Sequence, residues 1–330
     1  MKILFLAPAF FNYEQKIKAK MQRLGMDVAF YDERSVVTAF DRAVLKLFPA
    51  LYKSRTYKYY DKIIKKHQYD GFNYIVIVKC DMVSEKILQV FRNVFPKAKL
   101  CLHLWDSVKN IKGIIPKIPL FDRATSFDRT DCSNIDNLHF RPLFFADDFT
   151  AKKDTTNWKY DLCFCGTTHS DRYEILNKLE VQAKELGLSF YRFEYLQSNF
   201  IYWFYKLFNR GFKKARKSDF AFEKKSLSEL AEIENSSRVI VDIQHPNQTG
   251  LTMRTIEMLG MGKKLITTNA DIKNYDFYNP ANICVIDRKN PKLDKAFFET
   301  PYEKVPDEIY NKYSLEQWVK DVLGIEGDLK

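Results

Sequence analysis

Apolar residues along the chain fall into short dense blocks, separated by longer segments in which they recur at every third or fourth position. The blocks are Lys2 to Ala7 (KILFLA), Asp27 to Tyr31 (DVAFY), Tyr74 to Val78 (YIVIV), Leu100 to Trp105 (LCLHLW), Tyr160 to Cys165 (YDLCFC), Ser189 to Leu196 (SFYRFEYL), Arg238 to Ile243 (RVIVDI), Lys264 to Thr268 (KLITT) and Asn282 to Ile286 (NICVI). They read as strands, and Asp122 to Asp131 and Leu138 to Leu143 add two shorter ones. Between them Ile17, Met21 and Leu24 repeat at helical spacing before Gly25, and Ile175, Leu176, Leu179 and Ala183 do so before Gly187. Buried strands alternating with helices across short connections form parallel sheets wound by right-handed crossovers. The pattern predicts an α/β chain.

A chain of 330 residues exceeds the size at which one core keeps growing, so two domains are expected. Ala146 to Trp158 (ADDFTAKKDTTNW) is polar and aperiodic, which places a linker there and domains at 1–150 and 151–330. A final helix around Leu315 to Leu323, with Trp318 inward, is expected to cross back onto the first domain. The first strand-to-helix turn, APAFFNYE, has no glycine-rich loop, which disfavours a dinucleotide at the usual Rossmann position.

Candidate chemistry concentrates in His245 to Asn269, HPNQTGLTMRTIEMLGMGKKLITTN. A helix from about Gly250 would carry Gly250, Arg254 and Glu257 on one face, and its unpaired N–H groups would accept an anion. Arg254 could grip phosphate bidentately and Glu257 could accept from a ribose diol, although the same spacing also suits an i, i+3 surface ion pair. A second anion cradle is read at the turn Gly166, Thr167, Thr168, His169, where His169 and Arg172 could reach a phosphate; plain helix capping by Ser170 or Asp171 fits the same residues. In the first half Asp81 and Asp106 follow strands and Glu14 lies in a loop, which makes them candidate general bases, Asp106 foremost, or simple turn formers.

The net charge of +11 gathers in two stretches that also carry aromatics, Lys46 to Lys66 and Ile201 to Lys217. Basic residues beside Trp, Tyr and Phe suit an anionic membrane surface or a nucleic-acid backbone, and equally the solvated faces of core helices. No recognised nucleic-acid reader motif is present, so a membrane surface is the expected anionic partner and nucleic acid is not. No run of about twenty apolar residues occurs, and the N-terminal segment reads as a first strand rather than a signal peptide, so a cytoplasmic location is expected. The six cysteines show no paired CxxC spacing and read as reduced structural thiols; no metal site is expected.

These motifs, strand-GTTHSDRY-helix followed by QTGLTMRTIEMLGMGKKLITTN, resemble the GT-B class of nucleotide-sugar-dependent glycosyltransferases. More narrowly they are similar to the CgeB-like bacterial proteins of lipopolysaccharide and capsule biosynthesis. The resemblance implies two Rossmann-like domains whose parallel sheets face an interdomain cleft, with the donor against the second domain. It implies donor contacts from Gly166, Thr167, Thr168, His169, Arg172, Gln248, Thr249, Gly250, Arg254 and Glu257, and no cofactor beyond the nucleotide sugar itself. Gly250 stands seven residues before Glu257, where retaining relatives carry a second glutamate, which favours inversion with a carboxylate or histidine base from the first domain, Asp106 foremost. His245-Pro246 is similar to the HP motif of sialyl and Kdo transferases, a minor possibility given its loop position. The implied activity is sugar transfer to a lipid-linked, lipopolysaccharide or capsule acceptor at the inner face of the membrane; a noncatalytic nucleotide- or glycan-binding protein is the alternative.

Overall fold

The computed structural model describes residues 1–35, 49–151, 158–246 and 249–326. The chain divides into two compact units, Met1–Leu143 with Leu315–Lys330, and Phe144–Ser314. The first contains β1 (Lys2–Ala7), α1 (Tyr13–Arg23), β2 (Asp27–Asp32), α2 (Pro49–His67), β3 (Tyr74–Val78), α3 (Glu85–Val94), β4 (Lys99–Leu104), β5 (Arg123–Ser126), α4 (Arg129–Asn134) and β6 (Leu138–Phe140). Its six strands lie in the order β2-β1-β3-β4-β5-β6, and every pair is parallel. Central strands covered on both faces must be apolar throughout, which is why Tyr74–Val78 reads YIVIV and buries Ile75 to Val78 completely.

The second unit contains β7 (Tyr160–Thr167), α5 (Arg172–Glu185), β8 (Phe190–Tyr195), α6 (Asn199–Phe208), α7 (Leu227–Asn235), β9 (Ser237–Asp242), α8 (Met253–Met261), β10 (Lys264–Thr267), β11 (Ile283–Val285), α9 (Lys295–Glu299) and α10 (Asp307–Lys312). Its strand order is β11-β10-β9-β7-β8, again parallel throughout. The chain runs outward from β7 to β8 on one side and from β9 through β10 to β11 on the other. The order therefore reverses between β7 and β9, and such a switch point leaves a crevice beyond the strand ends.

The last helix, α11 (Leu315–Leu323), returns to the first unit, as the apolar spacing around Trp318 predicts. Trp318 is fully buried, and its Nε1 donates to His103 Nε2 at 3.4 Å. Thr125 Oγ1 donates its proton to the Leu102 carbonyl, so His103 Nδ1 must carry the hydrogen in its 3.0 Å contact with that hydroxyl. The ring is thus a neutral bridge with one donor and one acceptor nitrogen, and burial holds it at about 3, well below an ordinary histidine. Arg123 Nε donates to the Asp321 carbonyl at 2.7 Å and Arg141 pairs with the Asp321 carboxylate at 2.7 Å, closing the helix end.

In the second unit α8 is buried along most of its length and contains Gly260 where helix propensity alone would favour alanine. A Cβ on Gly260 would lie 2.3 Å from the Phe149 carbonyl and 2.5 Å from Phe145 Cγ. The glycine lets the helix seat directly on the segment that opens this unit, and Tyr310 Oη donates to its carbonyl at 2.8 Å. Gly260→Ala is accordingly expected to destabilise by at least ~2 kcal/mol, against the ~1 kcal/mol gain that propensity predicts, in urea denaturation monitored by circular dichroism.

His103 supplies a second expected outcome. Its folded-state value near 3 lies below its unfolded value near 6.5, so its contribution is complete above 6.5 and is lost as pH falls toward 3. His103→Gln should flatten the decline of melting temperature between roughly pH 6 and pH 4, whatever it does to stability at neutral pH. An unchanged slope would mean that His103 does not titrate on unfolding.

Candidate functional site

The carboxyl ends of β7 and β9 form the polar centre of the second unit. Strand β7 runs through Gly166 and Thr167, two residues beyond the expected strand, because both pair with β8 opposite Glu194 and Tyr195. Thr168 follows fully buried, its hydroxyl donating to Glu194 Oε2 at 3.2 Å. Ser170 adopts a left-handed backbone with φ 54°, and α5 starts just beyond it. Asp171 occupies the cap position without capping, because its carboxylate is held bidentately by Arg288 at 2.7 Å to each oxygen.

Helix α8 begins at Met253 rather than near Gly250, because the Thr252 hydroxyl accepts from Thr255 N and caps the helix there. Thr249 and Gly250 therefore lie in the loop before the helix, where Asn269 Nδ2 donates to the Thr249 carbonyl at 3.0 Å. Gln248 lies outside the described residues. Thr252 and Thr255 both donate their hydroxyls to Asp242 Oδ2 at 2.7 Å, tying the end of β9 to the start of α8.

Arg254 is the hub. Its Nε lies 3.3 Å from Glu234 Oε1 and its Nη1 3.9 Å from Asp242 Oδ1, with the guanidinium 5.4 Å from the centre of the Phe164 ring. Burial opposes its charge, but Glu234 and Asp242 outweigh that and raise its affinity for the proton. Burial pushes Glu234 in the direction of the neutral acid. A Cβ on Gly166 would sit 3.0 Å from Arg254 Nη1, so glycine there admits the guanidinium at the end of β7. Glu257 is 5% exposed, one turn further along. The surface pair between Arg254 and Glu257 that their spacing allows is not how Arg254 is used, since neither residue is at the surface.

Arg172, which the sequence directs at a phosphate, is 6% exposed and donates to the Thr167 carbonyl and twice to that of Ile243. It clamps the ends of β7 and β9 together. Burial and the nearby cations lower it to about 10, which leaves it charged, and among the described residues it has no carboxylate within ion-pair distance. The His169 and His245 rings face each other across the switch point, 5.2 Å between centroids, and burial with the neighbouring cations holds His169 at about 3. His169 is therefore a neutral hydrogen-bonding group, in contact with Ser170 Oγ at 2.9 Å.

Arg288, Asp242, Glu234 and Asn269 escape sequence reading. Arg288 donates to the Gln244 carbonyl at 2.9 Å besides holding Asp171, so it closes the same edge from β11. Only the topology that makes β7 and β9 neighbours brings these residues together.

In the first unit the corresponding edge is also polar. Lys79 Nζ lies 3.2 Å from Asp81 and 3.3 Å from Asp106, and Asn110 Nδ2 donates to Asp106 at 2.9 Å. Lys79 and Cys80 both have positive φ, as do Phe11 and Asn12 on the loop after β1, so the two loops flanking this sheet's own switch point hold uncommon backbone conformations. Glu14 accepts from Phe10 N at 3.1 Å and is buried, which makes it a loop fastener. Phe10 is 49% exposed, with its ring 5.9 Å from that of Trp105. Glu33, which sequence reading passed over, is fully buried, and burial raises its carboxyl to about 7.

Among the described residues no group of three or more His, Cys, Asp or Glu could hold a metal ion, and all six cysteines are free thiols. No protein-family model and no curated protein matches the sequence. Among solved structures the chain is similar to Anabaena HepE in complex with UDP-glucose, with a TM-score of 0.60 at 10% identity and 98% of each chain covered. It is similar to the apo form of the lipopolysaccharide outer core galactosyltransferase WaaB, at 0.53 and 11% identity over 98% of this chain and 99% of that one. It is also similar to UDP-GlcNAc 2-epimerase from Methanocaldococcus jannaschii, at 0.53 and 10% identity over the same shares. Identities this low carry the architecture and not the activity. Two parallel Rossmann-like sheets of six and five strands, in this order and matched over nearly the full length of such neighbours, give this chain the GT-B fold.

Proposed function

We propose that the protein is a nucleotide-sugar-dependent glycosyltransferase that binds its donor at the switch point of the second sheet. One observation carries the reading. Three guanidiniums, those of Arg172, Arg254 and Arg288, gather at the carboxyl ends of β7, β9 and β11, where α5 and α8 also begin. Arg288 is paired with Asp171 and Arg254 lies beside Glu234 and Asp242, while Arg172 is bonded only to carbonyls, so among the described residues one guanidinium stands without a carboxylate of its own at an edge already favoured by two helix dipoles. A diphosphate is the anion such an edge suits, and neighbours of the same fold are described with UDP and UDP-glucose.

In this reading the diphosphate lies against the α8 start, with the Thr249–Gly250 loop and the Thr167–His169 turn around it. Arg254 faces the phosphates and Glu257 accepts from the ribose. Gly166 and Arg172 act indirectly, the first by making room for Arg254 and the second by fixing the two strand ends. The acceptor is a glycan, lipid-linked or belonging to a lipopolysaccharide or capsule, and the transfer is cytoplasmic. Phe10 and Trp105 offer ring faces on which a sugar can stack.

Asp106 is the proposed base. As the acceptor oxygen forms its bond to the anomeric carbon, Asp106 takes the hydroxyl proton. The bond from that carbon to the phosphate oxygen breaks with its electron pair leaving on the diphosphate, and Arg254 and the helix starts meet the charge. A single displacement inverts the anomeric centre and requires no metal. Lys79 is shared between Asp81 and Asp106, so it can leave Asp106 free to accept the proton while remaining paired.

Titration with UDP, ADP, GDP, CMP and dTDP by calorimetry should find one nucleotide that binds, and Glu257→Ala should weaken it by about tenfold, the loss of one or two good hydrogen bonds. Unchanged affinity for the whole panel would remove Glu257 from the site. Asp106→Asn should leave that affinity within about twofold while lowering turnover of the cognate nucleotide sugar at least ~100-fold. Nucleotide binding without transfer or hydrolysis by the unsubstituted protein, across donors and glycan acceptors, would support a noncatalytic binder instead.

A further inference from the structure

Helix α6 has two apolar faces, and only one of them is used. Tyr202 is buried against Tyr173, Leu196, Phe212, Ala215 and Phe220, and Ile201 and Tyr205 pack on the same cluster. The other face consists of Phe200, Trp203, Phe204, Leu207 and Phe208, which are 75, 58, 47, 73 and 74% exposed. Their spacing of three and four residues forms one continuous stripe along the helix. An apolar helical stripe open to solvent is uncommon on a soluble surface and marks an interaction site.

The chain through and after this stripe is rich in cations. Between Glu194 and Asp219 the sequence contains Lys206, Arg210, Lys213, Lys214, Arg216 and Lys217 and no acidic residue. The segment that carries the later cations is folded back against the helix. Tyr202 Oη donates to the Ala215 carbonyl at 3.2 Å, Lys206 Nζ donates to the same oxygen, and the Tyr205 and Phe212 rings meet at 4.9 Å. Arg210, Lys213, Lys214 and Lys217 remain exposed, and Arg216, also exposed, pairs with Asp219 at 3.4 Å.

The other basic aromatic stretch is built differently. In α2 the rings and aliphatic side chains of Tyr60, Ile63 and Ile64 are buried, while Lys58, Lys62, Lys65 and Lys66 are exposed. That is an ordinary core helix with a charged outer face, and residues 46–48 of the stretch lie outside the described residues.

We infer that the α6 stripe and the cations beside it are a docking surface for an anionic lipid bilayer. Phenylalanine, leucine and tryptophan side chains on one helix face can enter the headgroup boundary together, and exposed lysines and arginines next to them meet lipid phosphates. A second copy of the chain is a poorer occupant, because two such surfaces would bring like charges together. The inference does not depend on the donor site, since none of these residues belongs to it.

Sedimentation of the full-length protein with phosphatidylcholine–phosphatidylglycerol vesicles, compared with pure phosphatidylcholine vesicles, tests it. The protein should partition onto the anionic vesicles, and Phe200→Ser/Trp203→Ser/Leu207→Ser should lower the partition coefficient by about tenfold or more. Lys213→Gln/Lys214→Gln/Lys217→Gln should lower it comparably while weakening its salt dependence. Unsubstituted protein that stays in the supernatant, or either variant sedimenting as the parent does, would overturn the inference. So would analytical ultracentrifugation showing a dimer that the apolar substitutions dissolve, or oligonucleotide binding lost in the same variants without any vesicle binding. Because the substituted side chains are solvent-exposed, melting temperature and nucleotide affinity should match the parent, which separates this test from that of the donor site.

Discussion

A half-buried guanidinium, that of Arg254, organises the second unit. It needs carboxylate neighbours because a charge removed in large part from water is costly unless compensated, and Glu234 from α7 with Asp242 from β9 supply them. Asp242 is itself fixed by two threonine hydroxyls from the start of α8. The guanidinium then lies against β7 where Gly166 has no side chain. Four elements from different parts of the chain, α7, β9, α8 and β7, are thereby brought into one arrangement at the point where the strand order reverses. Arg172 repeats the device with carbonyls in place of carboxylates, joining the ends of β7 and β9 directly.

This arrangement explains why polar and charged groups collect at one end of an otherwise apolar sheet. The interior of the unit is Leu162, Phe164, Val239, Val241 and Ile266 with the inward face of α5, and it has no need of arginine. Arginine at the strand ends instead sets loop positions and lies beside two helix starts. In the proposed function this edge is an anion site built from backbone N–H groups and guanidiniums. The first unit follows another plan at its own switch point, with loops in uncommon backbone conformations and a lysine shared by two aspartates.

The architecture was legible in the sequence because buried parallel strands must be apolar along their whole length and the intervening helices keep a 3.6-residue period. Strands such as Tyr74–Val78 and the returning helix at Trp318 follow from that alone. Local starts and stops were less legible. Thr252 rather than Gly250 begins α8, because a hydroxyl that accepts from the backbone defines a helix end more strongly than a flexible residue does. Gly166 looked like a turn residue but is a strand residue whose missing side chain makes room for an arginine. The partners of Arg254, the clamp made by Arg172 and the contribution of Arg288 depend on which strands become neighbours. Spacing along the chain does not contain that information. The two basic aromatic stretches looked alike in composition, and only the packing of Tyr60 inward and of Trp203 outward separates them.

The central claim is that the switch point between β7 and β9 holds a diphosphate. A crystal structure of the protein with the nucleoside diphosphate that binds it most tightly is the most direct measurement. The account predicts phosphate oxygens at hydrogen-bonding distance from the first backbone N–H groups of α8 and from the Arg254 guanidinium. Density for the nucleotide at the edge of the first sheet, or anywhere remote from the ends of β7 and β9, would contradict it.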